Sequence, residues 1–366
     1  MDCSEAPATA SGAHLTRSEP LLIWMVGTPQ GHPVPRSDTI TLRPRSRSAL
    51  PLPALVPVAR SRSTRSSYVS EKAIVTRRFP TRLLAGLGLV VIILAAYVTL
   101  ARPYQLHWGA AQEEIARSMP GDELDTHPTF LATRAITIQG TPQEIWPWLV
   151  QMGYDRAGYY GYDILENIGS KTGPDSAKRI VPELQNLKIG DKVPISPLGS
   201  WVVYAMAPER YFIWSDEKSQ SGFTWALYPI DAQHTRLVSR IRWSHHWSQP
   251  DLIAPEVFTE FTDHLAVRKI LQGVRGRVEG PVEPTAWTNT EFAIYLAAAL
   301  TFAWAVILNT ARPFSRARWL AGLAAGAVWL VTWYAPIPTW MGPVLLVCAI
   351  YGLWRTRLTV RARLPR

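Results

Sequence analysis

The sequence predicts an α+β fold, an antiparallel sheet wrapped around a long C-terminal helix, accompanied by about four transmembrane α-helices. Three observations lead there. Uncharged apolar runs lie toward both ends of the 366-residue chain, several short alternating segments occupy its middle, and one long segment with helical apolar spacing follows them.

Charge is segregated in the same way. Lys and Arg against Asp and Glu number 12 and 5 up to Arg82, 17 and 23 from Pro103 to Glu291, and 8 and 0 from Phe292 onward. Basic flanks beside apolar runs point to anionic lipid headgroups as the counter-charge. Nucleic acid is not an expected partner, since the interleaved basic and aromatic surface it needs is absent. The two cysteines, Cys3 and Cys348, are badly placed to meet, which leaves no disulfide framework and no thiolate metal site.

Residues 1–80 are rich in Pro, Ser and Arg without apolar periodicity, and read as a disordered basic cytoplasmic tail. Residues 83–101 follow, 19 residues without a charge between Arg82 and Arg102, enough for a first transmembrane helix and read as an uncleaved anchor. Three further apolar stretches, 292–308, 319–335 and 337–354, precede a basic tail at 355–366. Trp319, Trp333, Tyr334, Trp340 and Trp354 at their ends suit interfacial belts, and Gly322, Ala325 and Gly326 permit close helix contacts. With four spans, all three Arg-rich segments fall on one side. The expected location is therefore the plasma membrane, both termini cytoplasmic and the acidic domain outside.

Within that domain, Thr133 to Gly140 reads as a strand. Thr141, Pro142 and Glu144 then open a helix, with Thr141 as cap and Glu144 closing a capping box. A second helical piece is expected over Tyr160 to Ile168 and strands over 200–205, 211–215, 222–228 and 235–243. A long helix from about Pro255 to Glu279 closes the domain. Its apolar side carries Val257, Phe258, Phe261 and Leu265, then Val267, Ile270, Leu271, Val274 and Val278.

Residues 131–280 resemble the SRPBCC superfamily, the START-like helix-grip domains that include polyketide cyclases and lipid-binding proteins. The resemblance rests on TPQEIWPWLVQMGYDRAGYYGYDILEN at Thr141 to Asn167, VPELQNLKIGDKVP at Val181 to Pro194, and TRLVSRIRW at Thr235 to Trp243. It implies a deep cavity between sheet and long helix that takes apolar or amphipathic small molecules, with the two short helices at its mouth.

Candidate ligand-binding residues are accordingly Tyr154, Arg156, Tyr159 and Tyr160, with Tyr162 beside them, and Trp146 and Trp225 along the wall. Each has a plainer reading: amphipathic packing for the tyrosines, a salt bridge to Asp155 or Asp163 for Arg156, and core for Trp146, Trp201, Trp214, Trp225 and Trp243. Arg240 alternates with Leu237 and Ile241 and is expected to face outward as ordinary surface. Asp163 and Glu166 are spaced for acid and base work, yet a solvated helical face is the expected reading. His245 and His246 are strand neighbours that face opposite ways, which rules out simple shared ligation; a zinc site can be drawn with His264 and Asp251 but is not the expected reading. No metal, cofactor or catalytic residue is assigned. The leading expectation is membrane-tethered binding, transfer or sensing of a lipid or hydrophobic small molecule. A cyclase- or dehydratase-like enzyme and an assembly partner for another membrane protein are the alternatives.

Overall fold

The alternating segments of the middle region pair as a six-stranded antiparallel sheet in a computed structural model of the chain. The structure describes residues 67–361, apart from Leu198, Ser219, Pro336 and Thr339, with side chains over 81–356. The expected disordered N-terminal tail lies outside the described residues up to 66, as does the end of the C-terminal tail beyond 361, whereas Ser67 to Pro80 are helical instead of irregular. The described residues form two compact units, one of 102–292 and one of 67–101 with 293–361.

In the first unit the strands are β1 Phe130–Gln139, β2 Lys192–Ser196, β3 Gly199–Ala207, β4 Tyr211–Ser215, β5 Gly222–Pro229 and β6 His234–Trp243, in the spatial order β1-β6-β5-β4-β3-β2. The expected α+β class is thus found, with β2 added to the strands read from sequence. Period-two alternation sends Phe212, Trp214, Phe223, Trp225, Leu237, Ile241 and Trp243 to one face. There they join Val267, Ile270, Leu271 and Val274 of the long helix in one buried cluster.

That long helix runs Pro250–Glu279, five residues earlier than expected, because Pro250 supplies the helix-start proline and Pro255 lies inside. Between β1 and β2 a helix Pro142–Gln151 carries the anticipated capping box, with Thr141 accepting from Glu144 N and Glu144 reaching back to Thr141 N. The second helical piece shrinks to Asp163–Glu166.

In chain order the helices are α1 Ser67–Ala96, α2 Arg102–Leu106, α3 Gln112–Ala116, α4 Pro142–Gln151, α5 Asp163–Glu166, α6 Pro250–Glu279, α7 Thr285–Ala311, α8 Arg316–Tyr334 and α9 Met341–Arg361. A π-helical stretch, Tyr97–Ala101, joins α1 to α2. Two helical segments among the described residues are long and apolar enough to cross a membrane, Thr81–Leu106 and Thr285–Ala311. The expected four are therefore not shown. Arg316 and Arg318 open α8, and the apolar part of α9, Met341–Thr356, is shorter. Within the second unit Leu89, Ile93 and Phe302 form a buried cluster. A side chain at Gly322 would come within 2.8 Å of Leu89 Cδ1, so this glycine serves close packing inside the chain.

Candidate functional site

The inner face of the sheet is built in rows. Strand register places Arg134 of β1 opposite Ser239 of β6, Ser239 opposite Trp225 of β5, and Trp225 opposite Phe212 of β4. The adjacent row holds Ala132, Ile241, Phe223 and Trp214. Rings fill the space between: Trp214 meets Trp225 edge-on at 5.9 Å, and Phe130 stacks on Trp243 at 3.9 Å. The indole N–H groups of Trp214, Trp225 and Trp243 are all buried without a hydrogen-bond acceptor.

A buried ion pair stands on the same face of the sheet. Arg134 shares the parity of Ala132, Ile136 and Ile138, and its side chain is 1% exposed. Its Nη1 lies 2.6 Å from Asp263 Oδ2, and its Nε donates to the Gln105 carbonyl at 2.7 Å. Asp263 stands on the helical stripe of Val267, Ile270 and Val274, the face that α6 turns to the sheet. Burial holds its carboxyl above the usual carboxylate range, with Arg134 opposing. His264 beside it is buried, and burial keeps its imidazole well below the ordinary range, with Arg268 and Arg134 adding to the effect. Arg134 and Asp263 escaped the sequence reading, although both stand at apolar positions of otherwise regular patterns, which is a legible signal.

The residues singled out from sequence gather around the same core. Trp225 lies in the row described above, and Trp146 is half-buried, edge-on to Phe212 at 6.3 Å. Tyr154, Tyr159 and Tyr160 are buried in the cluster, but their hydroxyls donate to backbone carbonyls, of Ile168, Pro194 and Trp148 respectively, each at 3.0 Å. Arg156 donates to the carbonyls of Met152, Val150 and Leu184 rather than to Asp155 or Asp163. Asp155 instead receives Lys171 N. These guanidinium and phenol groups thus fasten the loop between α4 and β2 to both of those elements as well as to itself.

Three expectations are corrected. Asp163 is buried and accepts from Asn167, Ser176 and Thr285, so it is no solvated face. Glu166 turns inward to accept the N–H groups of Gly161 and Tyr162 at 3.0 Å each, and burial pushes its pKa up to about 7. A polar pocket of about 40 Å³ lies nearby, lined by Tyr160, Asp163, Ser176, Lys269, Arg277 and Thr285 among others. Arg240 does face away from α6, but it is buried, not surface. The segment after α2 covers that face: Asp122 meets Arg240 at 2.9 Å and Glu114 meets Arg236 at 2.7 Å. Alternation sets a side chain's face, whereas the cover comes from residues more than a hundred positions away. The drawn zinc ligands part company, His245 toward Glu260 and His246 toward Glu256. Among the described residues no group of three or more His, Cys, Asp and Glu is arranged to hold a metal ion.

No family model matches the chain, and neither does any curated protein. Among solved structures, the chain is similar to a polyketide-cyclase-like protein from Corynebacterium glutamicum, at 13% identity and a TM-score of 0.28, covering 41% of this chain and 91% of that one. A conserved protein of unknown function from Enterococcus faecalis gives 13% identity and a TM-score of 0.26, covering 48% and 94%. A protein from Arthrobacter aurescens gives 11% and 0.25, covering 46% and 93%.

Proposed function

We propose that the 131–280 domain binds a lipid or hydrophobic small molecule between the sheet and α6, held beside a bilayer by the apolar helices that flank it. The observation that carries this reading is the set of three buried indole N–H groups, of Trp214, Trp225 and Trp243, with no acceptor in an interior made mostly of apolar side chains. Leaving a buried donor unmade costs about 1–3 kcal/mol, and native interiors hold few of them. A ligand that brings acceptor atoms supplies what is missing. Apolar walls with a few placed polar groups are the usual make-up of a small-molecule site.

Tethering supports the reading, because Thr81–Leu106 and Thr285–Ala311 bracket the domain. The Arg-rich segments favour both termini in the cytoplasm and the domain outside. Of the residues singled out from sequence, the reading takes Trp225 and Trp146 as ligand contacts and Tyr154, Arg156, Tyr159 and Tyr160 as the wall that holds the entrance loop. The sequence resemblance to START-like domains points the same way.

Native mass spectrometry of the full chain released from detergent micelles tests the proposal. A co-purifying apolar metabolite or lipid that stays through detergent exchange is the expected result. A bare chain that also takes up no pyrene-labelled lipid would refute it.

A cyclase- or dehydratase-like reaction is the second reading, favoured by one observation: Asp263 presents an inward carboxyl whose pKa is raised by burial. Catalysis requires the bound compound to change on incubation, and Asp263→Asn to abolish that change. An unaltered ligand leaves binding alone.

A further inference from the structure

Arg134 and Asp263 say more about the ligand than the aromatic interior does. The guanidinium is already neutralised by Asp263 at 2.6 Å, and two of its nitrogens are engaged, Nη1 with Asp263 and Nε with the Gln105 carbonyl. Its Nη2 is buried without an acceptor. Two strands along the same row, Trp225 Nε1 is likewise buried without one. Strands are spaced about 4.8 Å apart, so the two backbones stand about 10 Å from each other, with buried Ser239 on the strand between them.

We propose that the ligand's polar end is an uncharged acceptor oxygen, a ketone, ester carbonyl or alcohol, placed between Arg134 Nη2 and Trp225 Nε1. This rests on the interior-binding reading above. A neutral oxygen satisfies both donors and leaves the interior neutral, since Arg134 and Asp263 already cancel. A carboxylate head would satisfy the same donors but add a net negative charge beside Asp263, in surroundings too apolar to screen it. A plain alkane would leave both donors unmade. Ser239, buried on the same face between the two donors, offers a hydroxyl to the same oxygen. The ion pair is then a device that holds a rigid donor fork in an apolar site without leaving the site charged.

Displacement from the full chain in nanodiscs tests this, with a pyrene-labelled lipid as the bound reporter. Three competitors share one chain length: undecan-2-one, undecane, and undecanoate at pH 8. The ketone is expected to displace the reporter at a concentration at least about tenfold below the other two, since a buried hydrogen bond of about 1.4 kcal/mol is a factor of ten. Trp225→Phe and the double variant Arg134→Met with Asp263→Leu should each bring the ketone-to-alkane ratio near one. The double variant removes both charges together, so it avoids the unpaired ion that could unfold a single variant. Ketone and alkane competing equally, or undecanoate competing best, would overturn the inference while leaving interior binding intact. An unchanged ratio in both variants would also overturn it. Failure of the reporter to bind at all would sink both readings.

Discussion

Breaking the Arg134–Asp263 pair gives the most direct view of how this interior is built. Asp263→Ala removes the acid paired with a guanidinium that is 1% exposed, beside the apolar cluster and close to Gln105 and His264. Removing one partner of a buried pair costs about 3–5 kcal/mol, because the surviving charge keeps its desolvation penalty. For a unit of the size of 102–292, where each kcal/mol moves the midpoint by about 2–4 °C, that is a fall of roughly 6–20 °C. Arg134→Met should cost a similar amount by leaving Asp263 alone, with protonation of its carboxyl as the escape. The double variant Arg134→Met with Asp263→Leu should regain most of the loss. The assay is a double-mutant cycle on the full chain in detergent, following tryptophan fluorescence on heating. Single variants within about 1 kcal/mol of wild type, or additive losses in the double, would refute the placement of this pair inside the core.

Three other outcomes follow from the same structure. Thr141→Ala removes the α4 cap that accepts Glu144 N and should cost about 1 kcal/mol, read as a lowered midpoint in chemical denaturation; no change would mean that the capping box is idle. Glu166 holds its proton longer when folded, because burial lifts its pKa from 4.5 to about 7. Its contribution is therefore fully present below about pH 4.5 and declines as pH rises toward about 7, by at most about 3 kcal/mol. Glu166→Gln should flatten that part of the stability profile, and a slope that survives the substitution would reject the assignment. For topology, alkaline phosphatase joined after Glu279 should be active and the same fusion after Arg366 inactive; the reverse pattern would place the domain in the cytoplasm.

Local rules made much of the fold legible. The period-two alternation of Leu237, Ile241 and Trp243 assigned the inner face of β6, and the Thr141 to Glu144 spacing located the start of α4 to the residue. The stripe of Val267, Ile270 and Val274 likewise assigned the buried face of α6. These features depend on neighbours within a turn or a strand, so composition and spacing suffice to find them.

What the sequence could not decide is who meets whom across long separations. The outward parity of Arg240 was readable, but its burial depends on Asp122, 118 positions earlier, lying over that face. The hydroxyls of Tyr154, Tyr159 and Tyr160 had a ligand role open to them in the sequence, whereas the fold brings the carbonyls of Ile168, Pro194 and Trp148 to them. Asp163 and Glu166 looked like a solvated pair on a helix over Tyr160 to Ile168, and local spacing says nothing of Ser176 and Thr285, which the fold brings onto Asp163. Arg134 and Asp263 each place a charge at an apolar position of a regular pattern, a signal that went unread in the sequence. Only the packing of α6 on β1 made them partners, because a buried charge is tolerable only where the tertiary structure supplies its opposite.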